Sequence, residues 1–464
     1  MPEKRHFSSA SESRQSCGVT GNLERSDDIR MKKNTPTVKH HILLLVFAIL
    51  LSGCQTPGSN TNIVNNHVPA QDGAQGAGGD EMVAGPETGY AAPIVEASGE
   101  EIVADSIDDE KESARAAIGL TEEGIRERMA SQEGKYAYDM LEESLRPLYV
   151  EILTIIEKHA ENIKVSTNDS DILQKVFLYV HADHPEIYWI DGYSYMRYSR
   201  GNEILYLTFS GKYTYTLEET RTLQFSIDQY VGRCLSGISR SASDYDKVKY
   251  IYEYIIEHTE YVLNSPDNQN ILSVFLNGES VCQGYAKAAQ YLLEQLDVPC
   301  TMVVGKVESG EGHAWNLVQI DGAYYYMDPT WGDASYRLDG QPMQGSSMPI
   351  SYEFLNITTE QLEATHIIDS VVPMPQCIAT EANYYIRENL YFNEYNEEAL
   401  KEVFQNAYAQ GREAVTLKCA DPVVFAKMQE ELITNQKIFL FLSEQTQSVI
   451  YAVDDQLYTI SIWL

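Results

Sequence analysis

Cys282, His313 and Asp328 follow one another along the chain in settings that suit a nucleophile, its base and an orienting carboxylate. A thiol attacks as its thiolate, so a neighbouring group must take its proton, and an imidazole doing that work needs a third group to hold its ring. Cys282 opens Cys282-Gln283-Gly284-Tyr285-Ala286-Lys287-Ala288-Ala289-Gln290-Tyr291-Leu292-Leu293. His313 opens His313-Ala314-Trp315-Asn316-Leu317-Val318-Gln319-Ile320, and Asp328 lies in Tyr324-Tyr325-Tyr326-Met327-Asp328-Pro329-Thr330-Trp331. Each alone has a plainer explanation, since free Cys is among the most buried residue types and a lone Cys before an apolar helix packs more often than it reacts. Together, in order, they point to nucleophilic catalysis by a thiolate.

The elements that must position them can be read from periodicity. Tyr285, Ala289, Leu292, Leu293 and Leu296 fall at helical spacing, which predicts a helix from Cys282 to Leu296, with Glu279 and Ser280 suited to its start. A thiol at a helix N-terminus faces unsatisfied N–H groups and the positive end of the dipole, both of which favour thiolate, and the same N–H groups can hold an oxyanion. The His313 and Asp328 runs are apolar and aromatic, and Asp321-Gly322 between them signals a two-residue hairpin. With Ile320 opposite Ala323, His313 falls opposite Thr330 and Trp315 opposite Asp328. That makes His313 and Asp328 diagonal neighbours on one face, and a slip of one residue would separate them.

Ser280-Val281-Cys282-Gln283-Gly284-Tyr285-Ala286, Gly312-His313-Ala314-Trp315-Asn316 and Asp328-Pro329-Thr330-Trp331-Gly332-Asp333 resemble the core motifs of the transglutaminase-like superfamily in its bacterial branch. The resemblance covers about residues 240 to 335. It implies an α+β, papain-like fold in which a Cys-capped helix packs on an antiparallel sheet. It further implies Cys282 as nucleophile, His313 as general base and acid, and Asp328 as the group that orients the histidine. It leaves open whether water or an amine resolves the thioester, so peptidase, amidase and crosslinking activities are all compatible. Neither an acidic cluster that compels calcium nor Cys-x-x-Cys or His-x-x-x-His spacing for zinc is apparent, and no cofactor or metal is expected.

The frame around this core is acidic. A formal net charge of −34 argues against nucleic acid, which demands a basic face, and 464 residues with 44% apolar content leave room for two or three domains. Met31-Lys32-Lys33 begins a basic stretch through Lys39, followed by the apolar run from Ile42 to Leu51 and then Ser52-Gly53-Cys54. That is a signal peptide's pattern, too short to span a bilayer. Leu51-Ser52-Gly53-Cys54 resembles the bacterial lipobox, which implies lipidation of Cys54 and a chain held at the extracytoplasmic face of the cell membrane; an uncleaved anchor would give nearly the same topology. Met31 reads as the true start, so residues 1–54 are a doubtful leader plus signal peptide. Residues 55–114, rich in Gly, Ala, Asn and Pro, read as a disordered tether.

The expected layout continues with an α+β extension over 115–240, the catalytic core over 241–374 and a small α/β unit over 375–464. In the extension, one helix is predicted over about 137–163 and another over 172–181. Strands are predicted at 187–190, 194–198, 204–209 and 212–217, with Ser210-Gly211 as a turn, and helices at 218–238 and 244–258. Tyr188, Trp189, Tyr193, Tyr195 and Tyr198 suit strand packing better than a cleft. Residues 334–375 read as loop. In the last unit Asn396 and Asp421-Pro422 mark helix starts, and strands are predicted at 414–418, 438–442, 448–453 and 457–462. Cys234, Cys300, Cys377 and Cys419 could form two bridges in three connectivities, without requiring any. The substrate expected is a peptide, protein or cell-wall peptide. The competing reading is a binding or scaffolding lipoprotein that keeps the fold without turnover, while a solute-binding lipoprotein would need two similar lobes that the sequence lacks.

Overall fold

The computed structural model describes residues 31–32, 89–102, 108–333 and 350–464. At its centre lies a five-stranded, wholly antiparallel sheet in the order Leu355–Ile357, Ala323–Met327, Gly312–Ile320, Cys300–Val307, His366–Ile368. The helix Cys282–Glu294 packs on it and is buried almost all round, including Gln283, Lys287 and Gln290. Its core-facing Leu292 and Leu293 are fully buried, each contributing on the order of 2 kcal/mol by removal from water.

The hairpin has the expected register. Ala323 pairs with Ile320 and the ladder runs to Met327 opposite Asn316. Asp321 and Gly322 both adopt positive φ, 50° and 83°, as a type I′ turn requires.

The edges of this sheet correct the expected loop over 334–375. Leu355–Ile357 and His366–Ile368 are strands, joined through the helix Thr359–Leu362, whose Thr358 and Gln361 form a capping box. Three residues per strand is too short for alternation to show in sequence.

Ahead of the core, a second sheet runs in the order Ile94–Ile102, Ile190–Arg200, Glu203–Tyr213, Ile163–Val165, its first pair parallel and the others antiparallel. Three expectations change here. Structure is described over residues 89–102, inside the expected tether; Ile94–Ile102 is held by main-chain pairing, with no buried side chain from Ile94 to Glu100, and so leaves little hydrophobic pattern. A side chain at Gly192 would collide with the Ile94 carbonyl, so this strand could not dock there against any other residue. The expected 137–163 helix is three pieces, Tyr136–Met140, the 3₁₀ turn Glu143–Leu145 and Arg146–Glu157, because Pro147 is tolerated only in a first turn. Ser210-Gly211 is not a turn either. Both residues pair within one long strand, and the chain reverses at Gly201, with φ 65°.

Tyr188, Tyr193, Tyr195 and Tyr198 are buried, as packing predicts. Helices Leu217–Leu235 and Asp244–His258 agree closely with expectation, the first with a full Thr216–Glu219 capping box.

The C-terminal unit is a four-stranded sheet ordered Tyr391–Phe392, Ala414–Cys419, Thr459–Trp463, Tyr451–Asp454, with helices Glu397–Ala409 and Pro422–Gln429 capped by Asn396 and Asp421. The strand expected over 438–442 is instead a 3₁₀ turn, Lys437–Leu440, which buries Ile438 and Phe439. A short apolar run fits a buried turn as well as a strand. One apolar cluster runs unbroken from Ile251 and Tyr285 to Phe404, Leu417 and Ile460, so this unit shares its core with the Cys282 helix. A separate cluster around Leu153, Phe177 and Phe209 holds the N-terminal extension.

Cys234, Cys300, Cys377 and Cys419 are free, buried thiols, as is Cys282. Cys54 lies outside the described residues. Among those described, no helix is long and apolar enough to cross a membrane.

Candidate active site

Cys282 is the first residue of its helix, preceded by Val281, which is extended and offers no side-chain cap. The N-cap side chain thus takes none of the N–H groups of that first turn, which suits them to a developing anion. Ser280 does not cap the helix, contrary to expectation. It belongs to a short strand, Glu279–Ser280, paired with Glu260–Tyr261, and its Oγ lies 2.6 Å from Ser273 Oγ and donates to Asn268 O at 3.2 Å. The loop thus pinned presses on the helix at Gly284, where a Cβ would stand 2.9 Å from both Asn268 O and Ser273 Oγ and collide with Ser280 Oγ. On the sheet side, Asn316 Nδ2 donates to Ala286 O at 2.9 Å, fixing the helix against the His313 strand.

His313 is 3% exposed, and its Nε2 lies 2.7 Å from Asp328 Oδ2. The imidazole also shares a hydrogen bond with Cys282. Burial disfavours the imidazolium, but Asp328, Cys282 and the hydrogen bonds to both outweigh it and raise the His313 pKa to about 10.

Asp328 sits just past the end of the hairpin ladder. Its Oδ1 accepts from Thr330 N at 2.9 Å and Trp331 N at 3.2 Å, capping the short helix Pro329–Gly332. Its main-chain N donates to Phe354 O at 2.9 Å. Burial pushes this carboxyl up, yet His313 and a second histidine hold it well below the usual carboxylate range.

That second histidine, His366, escaped the sequence reading. Its Nε2 lies 3.2 Å from the same Asp328 Oδ2, and its Nδ1 lies 2.7 Å from Thr365 Oγ1. Burial and the neighbouring His313 lower its pKa, against the pull of Asp328. A neutral His366 accepting from Thr365 at Nδ1 and donating to Asp328 at Nε2 fits both contacts. Trp331, Trp315 and Phe354 enclose its ring, with centroids at 4.6, 5.0 and 5.3 Å. The available signal was His366-Ile367-Ile368, a histidine opening an apolar run as His313 does.

Residues 233–329 match the family model of the transglutaminase-like superfamily, a span that contains Cys282, His313 and Asp328. The core is transglutaminase-like. Kyphoscoliosis peptidase of Mus musculus is 22% identical over 226 residues, covering 44% of this chain and 34% of its own length. The human kyphoscoliosis peptidase is 22% identical over 227 residues, covering 45% and 33%. The chain thus spans about a third of the length of these curated relatives. A crystal structure of a TGase aligns with 34% of this chain and 47% of its own at 19% identity, with a TM-score of 0.23.

Within the transglutaminase-like core, the donor atoms of His313, Asp328 and His366 lie within 4.8 Å of one another, close enough in principle for one cation. Contacts of 2.7 and 3.2 Å from two imidazoles to a single carboxylate oxygen are accounted for by hydrogen bonds, and the raised pKa of His313 agrees with them.

Proposed function

We propose that this protein is a cysteine enzyme acting on amide bonds of peptides or proteins, held at the extracytoplasmic face of the cell membrane by a lipid on Cys54. The observation that carries the reading is the single imidazole of His313 linking Cys282 on one side to Asp328 on the other, both buried. In this reading the Cys282 sulfur, its proton held by His313, attacks the amide carbon. The carbonyl oxygen becomes an oxyanion received by N–H groups of the first helical turn, and His313 passes its proton to the departing amine. A thioester on Cys282 remains. Water or a second amine then attacks it, His313 taking the proton of the incoming nucleophile and returning it to the sulfur. Asp328 fixes the ring throughout and favours its charged form, and we assign His366 to positioning Asp328.

The test is the rate of Cys282 alkylation by iodoacetamide at pH 6 in wild type and in His313→Ala, read by peptide mass mapping. A sulfur activated by His313 labels faster at that pH in wild type than in His313→Ala; equal rates would remove the catalytic reading. Cys282 is fully buried, which on its own favours the second reading, a non-catalytic binding lipoprotein. What covers it bears on the choice.

A further inference from the structure

The cover comes from far away in sequence. Gly89 lies against Cys282 so closely that a Cβ there would stand 3.0 Å from the sulfur and against the Tyr261 hydroxyl. Tyr90 packs against the cluster of Cys282, Ala286, Met302 and Ala314, as Val304 does, and none of these is from its own part of the chain. It also lies over Gly312, the residue before His313, where a Cβ would meet its ring at 3.4 Å. Burial, aided by Cys282, raises the Tyr90 pKa to about 12, so the ring sits neutral in the pocket.

The main chain on either side of Tyr90 is held by one side chain. Gln269 Oε1 accepts from Ala91 N at 2.9 Å, and Gln269 Nε2 donates to Gly89 O at 3.3 Å. A carboxamide that takes the C=O before a residue and the N–H after it reads an extended backbone without reading its sequence, while the pocket beneath reads the side chain. The Gln269 main chain is itself fixed, since its backbone carbonyl accepts from Nε2 of Gln283, the residue next to Cys282, at 3.1 Å.

We propose that Gln269 and the pocket of Ala286, Met302, Val304 and Ala314 form a peptide-binding subsite beside Cys282, that its ligands are extended peptides carrying an aromatic residue, and that Gly89-Tyr90-Ala91 is an intramolecular occupant closing it. The substrate part rests on the amide-bond reading above; the closure does not. A peptide enters when the strap leaves, and the strap is held nearby by the paired strand Ile94–Ile102 that follows it.

The experiment measures Cys282 alkylation by iodoacetamide in the full-length chain. Tyr90→Ala should label at Cys282 about tenfold faster than wild type or more, the factor by which an open population rises when a contact of this size is lost. Cys234, Cys300, Cys377 and Cys419, all buried, should stay unlabelled and so report an intact fold. The peptide acetyl-Gly-Tyr-Ala-amide should slow labelling of the variant again, and acetyl-Gly-Ala-Ala-amide should not. Equal labelling of Tyr90→Ala and wild type, or equal protection by both peptides, overturns the proposal. Should Tyr90→Ala expose all five thiols, Gly89→Cys decides. With oxidised glutathione as oxidant, the new thiol and Cys282 lose two electrons and two protons to give a disulfide between those two positions, and its absence from the peptide map refutes the strap. The two readings fail separately: labelling that depends on Tyr90 and not on His313 sinks catalysis alone, and the reverse sinks closure alone.

Discussion

Replacing Asp328 with Asn separates charge from shape at the site. The Asn side chain can keep its oxygen on Thr330 N and Trp331 N, so the cap of Pro329–Gly332 survives, but an amide then faces His313 in place of a carboxylate oxygen. His313 is raised to about 10 against an ordinary value near 6.5, which corresponds to about 5 kcal/mol favouring its charged form. Asp328 is the largest of the raising contributions and burial opposes them all. Without the carboxylate, burial should carry the imidazole to or below its ordinary value. Wild type should therefore hold the His313 proton from pH 6.5 to about 10, and Asp328→Asn should have lost it by pH 8. NMR of ring-labelled histidine, assigned with His313→Gln, follows this directly. The leaving amine then lacks its acid, a loss of about 10²–10⁴-fold in turnover. A His313 resonance still titrating near 10 in Asp328→Asn would refute the reasoning and assign the shift to Cys282.

The remaining expectations concern stability, chemistry and location. His313 gains its proton more tightly when folded, so the stability it contributes is complete below about pH 6.5 and is lost as pH rises through about 10. Lys287, fully buried with Nζ 2.9 Å from His181 Nε2, is lowered to about 7 by burial, so it destabilises the fold below that pH and the penalty fades toward its ordinary value near 10.4. The two slopes oppose one another over the same window; urea titrations from pH 7 to 10 should show stability rising with pH in His313→Gln and falling in Lys287→Met, and parallel curves would contradict both assignments. Cys282→Ala should abolish the acyl-enzyme seen by intact mass with amide substrates, and an undiminished adduct would place the nucleophile elsewhere. Gly284→Ala should destabilise by about 1–3 kcal/mol, because the polar atoms of Ser280, Asn268 and Ser273 leave no room for a methyl. Cys54→Ser should move the protein from the membrane to the soluble fraction, and unchanged partitioning would count against the lipid anchor.

What could be read from the sequence was whatever depends on local pattern. Asp321-Gly322 dictates the hairpin register, and the register brings His313 within reach of Asp328 with no knowledge of the rest of the fold. The Cys282 helix announced itself through Tyr285, Ala289 and Leu292. The elements that escaped are held by main-chain pairing and not by periodic burial. Ile94–Ile102 sits at a sheet edge, its side chains from Ile94 to Glu100 mostly exposed, and Leu355–Ile357 and His366–Ile368 have three residues each. His366 was lost with its strand, because its role depends on a sheet neighbour 38 residues away in sequence. Gln269 and Tyr90 meet across about 180 residues, a juxtaposition that no local pattern carries. The apolar stripe over 137–163 runs through Pro147 without a break, although that proline belongs in a first turn, as it does in Arg146–Glu157.

The parallel pairing of Ile94–Ile102 with Ile190–Arg200 makes the strap a tethered competitor. A short linker of this kind presents its ligand at an effective concentration on the order of millimolar. A dilute free peptide of equal intrinsic affinity would lose that contest almost always. On the proposed closure, the site would favour substrates that arrive many at a time, such as repeated peptides on a polymer or a surface, over single molecules in solution.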